Sequence, residues 1–379
     1  MRRWFCLSLL ILLFACQQTR SPVAVQTPEP ASNIVQPTMT ATTLPTATAT
    51  ATVTSLPTAT QTLQPTATAT PTNVPPTATP TDAPPTATAT PDPYAQFSID
   101  ALTARQYGGG ELEIIDTLYK AETFTRYLIK YPSDGLEIYG FMNAPNEGHK
   151  LPVALVLHGY IDPDEYETEA YSTRYADALA EAGYLTIHPN FRNYPPSDDG
   201  PSPFRIGYAI DTLNLIAIIQ DQSVNDPTGP LRRADGENIH AMGHSMGGGV
   251  ALRTAIVRPD ALKGIVLYAA MSGNEFWNYT KILEWSGGRT GEFELAANEQ
   301  QLASIGALFY LDRLQIPVSV HHSVGDQQVP VEWSEDLCDR LEARQHRVEC
   351  FYFDDAPHTF WGPWDRVFIE RMIAFFRQY

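Results

Sequence analysis

The chain has 379 residues, four cysteines and a formal net charge of −18 at pH 7. Such an acidic chain is a poor candidate for binding nucleic acid or an anionic membrane surface through charge, because those partners carry the same sign. We therefore expect no nucleic-acid partner and interpret the charge as a contribution to solubility.

The chain begins with a predicted export signal, residues 1–16. Two arginines precede an apolar run that is too short to span a bilayer. The run ends in Leu-Phe-Ala-Cys, which resembles the lipobox of bacterial lipoproteins, although Phe14 replaces the small residue usual at that position. The resemblance implies that Cys16 is lipidated and that the protein is exported and anchored to the outer face of a bacterial membrane. The alternative is an ordinary signal peptide with an incidental cysteine, which would give a secreted protein.

The next segment, residues 17–93, consists largely of threonine, proline and alanine. The unit Pro-Thr-Ala-Thr-Ala-Thr recurs at 45–50, 65–70 and 85–90. This composition supplies no apolar face, and proline breaks both helices and strand ladders, so we expect a disordered linker. As polyproline II, at about 3.1 Å per residue, it would reach on the order of 200 Å. The segment is therefore predicted to tether the following domain to the membrane anchor.

Residues 94–379 predict one large domain, because no second linker divides them. Ser98 is expected to cap a short helix. Residues 113–129 and 136–143 then alternate enough to form an antiparallel pair, joined by a Pro-Ser-Asp-Gly turn at 132–135.

From residue 152 onward, buried strands alternate with helices. The alternation indicates a mostly parallel central sheet with helices on both faces, which is an α/β fold. The predicted strands are 153–157, 184–188, 239–242, 262–269, 318–322 and 347–353, and the predicted helices are 168–182, 205–220, 248–258, 331–344 and 364–377.

The sequence Gly-His-Ser-Met-Gly at 243–247 fits the pattern G-x-S-x-G. A serine on a sharp turn between a strand and a helix exposes its hydroxyl, and the flanking glycines relieve crowding in that turn. The start of the helix also offers N–H groups to a developing negative charge. The pattern alone arises by chance in about one domain of this size in ten. The predicted strand before it and helix after it therefore carry the prediction that Ser245 is a nucleophile.

Two further residues complete a possible catalytic triad. Acyl transfer through a serine needs an imidazole to take its proton and a carboxylate to orient the imidazole. Asp326 follows the predicted strand 318–322, and His358 follows the predicted strand 347–353. The order Ser, Asp, His with each residue just past a strand predicts Asp326 as the acid and His358 as the base.

Other candidates lie near these positions. Asp354 and Asp355 precede the histidine in the same loop and are alternative acids. His244 is interpreted as a packing residue that points away from the turn, and His321 and His322 as core or supporting groups within a strand. No segment has the spacing of metal ligands, and we expect neither a metal nor a cofactor.

The oxyanion that forms during acyl transfer needs two N–H donors. One is predicted to be the backbone N–H of Met246, directly after the nucleophile. The other is predicted to be that of Tyr160, in the His-Gly-Tyr segment that follows the first parallel strand. The alternative for this segment is a plain turn that ends the strand.

Five segments of the chain carry a family resemblance. They are Leu-Val-Leu-His-Gly at 155–159, Gly-His-Ser-Met-Gly-Gly at 243–248, Tyr-Leu-Asp-Arg-Leu-Gln-Ile-Pro at 310–317, Val-Gly-Asp-Gln-Gln-Val-Pro at 324–330 and Ala-Pro-His-Thr-Phe at 356–360. Through them the chain, from about residue 119 to the end, resembles the catalytic domain of prolyl oligopeptidase family serine peptidases and their dienelactone-hydrolase-like relatives. Residues 190–194, Asn-Phe-Arg-Asn-Tyr, depart from the Asp-Tyr-Arg-Gly-like segment of that family.

The resemblance implies an α/β-hydrolase fold and the triad Ser245, Asp326 and His358. It favours a serine peptidase acting through an acyl-enzyme on peptide substrates, with an esterase acting on carboxylic esters as the alternative. The family's β-propeller, which screens substrates by size, has no counterpart here. A hypothesis of another class is a catalytically inactive hydrolase fold that serves as a surface binding module.

An insertion at 271–304 is rich in aromatic residues. We expect residues 274–305 either to form a lid or pocket wall or to pack as a helical cap. The candidate pocket residues are Phe276, Trp277, Tyr279 and Trp285.

Two cysteines remain in the predicted domain. Export would permit a disulfide between Cys338 and Cys350, which lie on a helix and on the strand that follows it. The alternative is a pair of free buried thiols.

Overall fold

The computed structural model describes residues 92–379. The predicted export signal, Cys16 and the linker up to residue 91 lie outside this range. None of the described helices combines the length and apolar character needed to cross a bilayer.

The described residues build one nine-stranded sheet in the order β1-β2-β3-β5-β4-β6-β7-β8-β9. The first three strands and β5 pair in antiparallel fashion, and every pairing from β5 through β4 to β9 is parallel. The strands are β1 (Glu113–Lys120), β2 (Phe124–Ser133), β3 (Leu136–Pro145), β4 (Leu151–Leu157), β5 (Leu185–Pro189), β6 (Ala234–His244), β7 (Gly264–Tyr268), β8 (Val318–Ser323) and β9 (Val348–Phe353).

The central parallel strands are apolar on both faces because helices cover both faces. Strands β5 and β7 are buried throughout, and two groups of buried apolar side chains form the core. The helices are α1 (Ile99–Ala104), α2 (Thr173–Glu181), α3 (Ile206–Asn225), α4 (Met246–Val257), α5 (Glu275–Trp285), α6 (Glu292–Leu295), α7 (Glu299–Ile305), α8 (Glu332–Ala343) and α9 (Pro363–Gln378).

The N-terminal edge of the sheet differs from the sequence-based prediction. The segment 113–129 was expected to form one strand, but it folds back on itself at 121–123 and forms the hairpin of β1 and β2. The predicted turn into β3 is present, with Asp134 at φ 54° and Gly135 at φ 82°. Positive φ at both positions is the geometry of a tight hairpin turn, which an Asp-Gly pair favours.

The parallel strands all end at the same edge of the sheet, so the loops that follow them lie along that edge. The loops after β6, β8 and β9 carry the residues predicted to do chemistry. Strand β7 separates β6 from β8 in the sheet.

Candidate active site

Ser245 lies on the turn between β6 and α4. Its backbone has φ 53° and ψ −115°, a conformation that costs a non-glycine residue free energy and recurs at functional sites. The turn is held by its backbone, because Ser245 N donates to Tyr268 O at 2.8 Å and Ser245 O accepts from Met271 N at 2.9 Å. The strained serine is therefore fixed by hydrogen bonds to the end of β7 and the loop beyond it.

Glycines flank the serine because no side chain would fit there. A Cβ atom on Gly243 would lie 2.2 Å from the carbonyl oxygen of Gly247, and a Cβ atom on Gly247 would lie 2.2 Å from that of Leu157. Both contacts are with backbone, which cannot move aside without shifting β4 or α4. The G-x-S-x-G pattern is thus a packing requirement of this turn.

The predicted acid and base are in contact. His358 Nδ1 lies 2.6 Å from Asp326 Oδ2. Because a carboxylate only accepts hydrogen bonds when ionised, Nδ1 carries the proton and donates it, which leaves Nε2 of a neutral ring as a proton acceptor. The other oxygen of Asp326 accepts from the backbone N–H groups of Gln328 at 2.8 Å and Val329 at 3.0 Å. The carboxylate is therefore fixed by its own loop.

A second histidine also reaches the acid. His322 Nε2 lies 3.2 Å from Asp326 Oδ2, and His322 Nδ1 lies 2.6 Å from Ser334 Oγ. Burial alone would raise the pKa of Asp326, but the hydrogen bonds from His322 and His358 outweigh burial and bring its pKa below the ordinary value. The carboxylate is thus held in its ionised form. His322 was expected only to be a core or supporting group, and its partner was not predicted.

Ser245 and His358 line the same cavity, which has a volume of about 830 Å³. Among the described residues no hydrogen bond joins Ser245 Oγ to His358. Contacts of this kind are often long in proteins without substrate and tighten when substrate binds. The structure thus brings all three residues to one site, with the acid–base pair already formed.

The two predicted oxyanion donors also line this cavity. Met246 is the first residue of α4, and Tyr160 follows the end of β4. Within residues 92–379, neither backbone N–H is used in a hydrogen bond to protein. The neighbouring Gly159 approaches closely, because a Cβ atom on it would lie 3.1 Å from Ser245 Cβ. Both N–H groups are therefore available at the cavity wall.

His244 is buried, as a packing residue would be, but it also lines the cavity and contacts polar groups. Its Nε2 donates to the backbone oxygen of His358 at 3.2 Å, so its Nδ1 accepts from the Tyr171 hydroxyl at 2.5 Å. Tyr171 in turn accepts from Gly159 N at 2.8 Å. Burial and the neighbouring His358 bring the pKa of His244 well below its ordinary value. A neutral His244 therefore links three loops around the serine.

Two of the four candidate pocket residues line the cavity. Tyr279 and Trp285 of α5 line the cavity, together with Arg289 and Glu294 of the segment that follows. The insertion thus forms one wall of the cavity.

Phe276 and Trp277 do not line this cavity, and their prediction as pocket residues is corrected. Phe276 lies exposed in the first turn of α5. Trp277 is turned away and stacks on Trp333 of α8 with ring centroids 6.4 Å apart. Composition had indicated an aromatic wall, but the direction of each side chain depends on how α5 packs.

A buried ion network that sequence reasoning missed lies beside the cavity. Glu275 Oε2 accepts from Arg205 at 2.5 Å, and Glu275 Oε1 accepts from Arg253 at 2.5 Å. All three side chains are buried, and Arg205 also lines the cavity. One carboxylate thus faces two guanidinium groups. No local sequence pattern predicts this network, because the three residues come from the start of α3, from α4 and from α5.

Two remaining predictions concern the C-terminal part of the chain. A disulfide joins Cys338 of α8 to Cys350 of β9, with their Cα atoms 6.6 Å apart. His321 is buried in β8, stacks on Phe351 and has its pKa lowered to about 3 by burial and by Arg371. Within the described range, no cluster of histidine, cysteine and carboxylate side chains has the arrangement of a metal site.

Comparison with known proteins agrees with this architecture. A family described as the alpha/beta hydrolase fold matches residues 152–318. An acetyl xylan esterase from Thermoanaerobacterium sp. JW/SL YS485 superposes with a TM-score of 0.55 at 16% identity, over 75% of this chain and 94% of that chain. The acetyl xylan esterase from Paenibacillus sp. R4 superposes with a TM-score of 0.54 at 18% identity, over 74% of this chain and 92% of that chain. The acylaminoacyl peptidase of Pyrococcus horikoshii superposes with a TM-score of 0.52 at 21% identity, over 68% of this chain and 42% of that chain.

These similarities and the strand order identify the fold. The protein has an α/β-hydrolase fold, with antiparallel strands at one edge of the sheet, as predicted. The prolyl oligopeptidase family is not singled out, because esterases and a peptidase of this fold match to similar extents. At these identities the likeness concerns the fold alone.

Proposed function

We propose that this chain is a serine hydrolase that forms an acyl-enzyme on Ser245. The observation that carries the proposal is the hydrogen-bonded pair of Asp326 and His358 on the same cavity as a strained, glycine-flanked serine. A binding module has no need of an ionised carboxylate that orients a buried imidazole. The proposed reaction is therefore acyl transfer to serine followed by hydrolysis.

The proposed mechanism assigns one task to each group. His358 Nε2 takes the proton of Ser245 as the hydroxyl attacks the substrate carbonyl, and Asp326 orients and stabilises the imidazolium. The N–H groups of Tyr160 and Met246 donate to the oxyanion. His358 then protonates the leaving group, and a water molecule repeats the sequence to release the acid.

We propose a peptidase as the more specific activity, with a carboxylesterase as the alternative. The sequence resemblance to prolyl oligopeptidases supports the peptidase, and so does a cavity wall that carries charged groups of both signs, Arg205, Arg289 and Glu294. Such groups can recognise the ionised ends or side chains of a peptide. Proteins of this fold include acetyl xylan esterases and acylaminoacyl peptidases, so the fold does not choose between them.

Two measurements test the activity. Labelling with a fluorophosphonate probe should modify the wild-type protein and leave Ser245→Ala unmodified, and an unlabelled wild type would favour a binding module. The ratio kcat/KM is then compared on peptide nitroanilides and on short-chain nitrophenyl esters. Turnover of activated esters alone does not decide, because they are easy substrates. Failure on every peptide amide together with fast turnover of a natural ester would select the esterase.

We also propose that the protein is exported and attached to a bacterial membrane through lipid on Cys16, with residues 17–93 as its tether. The sequence before Cys16 supports this. A single acyl chain binds a membrane only marginally, so the proposal requires more than one chain. The protein should partition into detergent, and Cys16→Ser should abolish that partition. A mature protein that starts at another residue would contradict the proposal.

A further inference from the structure

The hydroxyl of Tyr171 lies in the middle of a short chain of hydrogen bonds beside the serine. Gly159 N donates to this hydroxyl at 2.8 Å, and the hydroxyl donates to His244 Nδ1 at 2.5 Å. His244 Nε2 in turn donates to the backbone oxygen of His358 at 3.2 Å. The chain therefore runs from the loop after β4 to the loop after β9, through the residue that precedes Ser245.

The position of every proton in this chain is determined. A backbone N–H can only donate, so the oxygen of Tyr171 accepts from Gly159 and its own proton goes to His244. Burial raises the pKa of the Tyr171 hydroxyl above its ordinary value, so the hydroxyl keeps that proton. Because it has no second proton, the hydroxyl is not itself a donor to a substrate oxyanion. Tyr171 therefore acts on the two loops and not on the reacting atoms.

The proposed oxyanion donor at Tyr160 depends on how Gly159 is held, because glycine restricts its own backbone least. The peptide unit before Gly159 is fixed by the N–H bond to Tyr171. In the peptide unit after it, the Gly159 carbonyl oxygen lies 2.7 Å from His158 Nδ1. A trans peptide is planar, with its C=O and N–H on opposite sides, so the Tyr160 N–H points away from His158. Two side chains thus determine the direction of this N–H.

The groups around Gly159 are closely packed. A Cβ atom on this residue would lie 2.8 Å from the Tyr171 hydroxyl oxygen, 3.0 Å from His244 Nδ1 and 3.1 Å from Ser245 Cβ. The hydroxyl, the imidazole and the serine therefore converge on one Cα atom. Removal of the hydroxyl would leave a gap next to the loop that carries the oxyanion donor, and the loop would gain freedom to move relative to the serine.

We propose that Tyr171 is a positioning residue of the proposed serine hydrolase, on which this inference rests. Its hydroxyl holds the Tyr160 N–H at the oxyanion and, through His244, the backbone of His358 beside the nucleophile. The base is then held at two points, at its ring by Asp326 and at its backbone by His244. The competing account is a hydroxyl that only satisfies two polar groups, and its removal would leave binding of the transition state unchanged.

The variant Tyr171→Phe tests the proposal on the full chain, with 4-nitrophenyl butyrate as substrate. It removes the hydroxyl and keeps the ring, which packs edge-to-face on His244. We expect kcat/KM to fall about 10- to 100-fold, somewhat less than the loss of a whole oxyanion donor. The loss should lie mainly in kcat, with KM within about threefold of wild type. The affinity for 1,1,1-trifluoroheptan-2-one, which forms a tetrahedral oxyanion on the serine, should fall by the same factor as kcat/KM.

The matched control is Tyr166→Phe, in the same connection between β4 and α2. The Tyr166 hydroxyl is also bonded within the protein, to Asn190 Oδ1 at 3.0 Å, but it lies outside the chain of Tyr171. Its removal should leave kcat/KM within about threefold of wild type. Urea unfolding is measured for both variants, so that a loss of stability is not mistaken for a loss of positioning.

Three results would overturn the proposal: an unchanged kcat/KM in Tyr171→Phe, an equal loss in Tyr166→Phe, or a loss confined to KM with unchanged affinity for the trifluoroketone. Labelling by a fluorophosphonate separates this inference from the proposed function. An unlabelled wild type would overturn the function and the inference together. A wild type that is labelled at the same rate as Tyr171→Phe would overturn the positioning role alone.

Discussion

At the scale of single residues, the contact between His358 Nδ1 and Asp326 Oδ2 fixes which nitrogen of the imidazole can act as a base. Replacing Asp326 by asparagine would keep the shape but remove the charge and the preference for that tautomer. We expect Asp326→Asn to lower kcat by about 10⁴-fold. The comparison is with Asp354→Asn at the exposed alternative acid, which should retain nearly all activity. A large loss of kcat in Asp354→Asn with little change of kcat in Asp326→Asn would show that Asp354, and not Asp326, orients the histidine.

The carboxylate of Asp326 should also contribute to the pH dependence of the free energy of unfolding. Its pKa in the folded protein is lower than its value of about 3.9 in an unfolded chain. Ionised Asp326 therefore stabilises the fold above that value, and the contribution disappears as the pH falls through the lower folded-state pKa. Urea unfolding between pH 2 and 6 should show a shallower loss of unfolding free energy below pH 4 in Asp326→Asn than in wild type. Equal slopes would show that the shift does not contribute.

The glycines of the serine turn allow a matched comparison within one helix. A Cβ atom on Gly247 would lie 2.2 Å from a backbone oxygen, whereas one on Gly249 has its nearest neighbour at 3.5 Å, an ordinary contact. We expect Gly247→Ala to lower the free energy of unfolding by about 1–3 kcal/mol or more and to reduce activity. Gly249→Ala should be neutral or stabilising by up to about 1 kcal/mol, because alanine favours helix. Equal effects on stability by denaturant unfolding would contradict the crowding argument.

At the scale of secondary-structure elements, α5 is attached to the core by Glu275 and its two arginine partners. Removing the carboxylate would leave two buried cations without a counter-charge, although Arg253 would keep its hydrogen bond to the backbone oxygen of Phe204. We expect Glu275→Gln to cost about 3–5 kcal/mol of unfolding free energy. The control is Glu284→Gln in the same helix, where the pair with Lys281 is exposed and should be worth at most about 1 kcal/mol. A small loss in Glu275→Gln would show that Arg205 and Arg253 find other acceptors.

The disulfide links α8 to β9 across a sequence separation of 12 residues. Closing a loop of this length restricts the unfolded chain by about 3 kcal/mol. Reductant should therefore lower the unfolding free energy of the wild type by about 2–3 kcal/mol and have no effect on the double variant Cys338→Ala/Cys350→Ala. Alkylation of both cysteines in unfolded, unreduced protein would exclude the bond.

The prediction of elements from sequence succeeded where local chemistry determines the structure. Ser98 caps α1 by accepting from Ala101 N at 3.1 Å, and the Asp-Gly turn lies where its residues favour it. The reversal at 121–123 was missed because no glycine or proline marks it. The partners of His244 were missed for another reason, since they lie on loops far away in sequence, and the approach of His322 to Asp326, only four residues on, depends on how the loop after β8 folds. Tertiary packing, which periodicity does not encode, decided those contacts.

At the scale of the whole molecule, the order in which the proposed serine, acid and base occur along the chain follows the order of strands in the sheet. The acid and the base lie after β8 and β9, which are neighbours, and the serine lies after β6, across β7. The wall formed by α5, α6 and the segment between them and the loop of Tyr160 then enclose the serine from other parts of the chain. The sequence motifs predicted three side chains that the structure brings together, whereas the wall required the three-dimensional structure.

The boundary between β7 and β8, called the seam here, separates Ser245 from Asp326 and His358, and the strands on its two sides are joined to different extents. Four residue pairs join these strands, whereas six join β8 to β9, and the disulfide between α8 and β9 reinforces that second pair. If the sheet opened locally at the seam, Asp326 and His358 would leave together and the serine turn would stay folded on β6. The free energy of opening obtained from hydrogen exchange of the β8 amides would then equal the free energy of the opening that abolishes the reactivity of Ser245. Inactivation by heat would precede global unfolding and would reverse on cooling, since the acid and base return as an assembled pair.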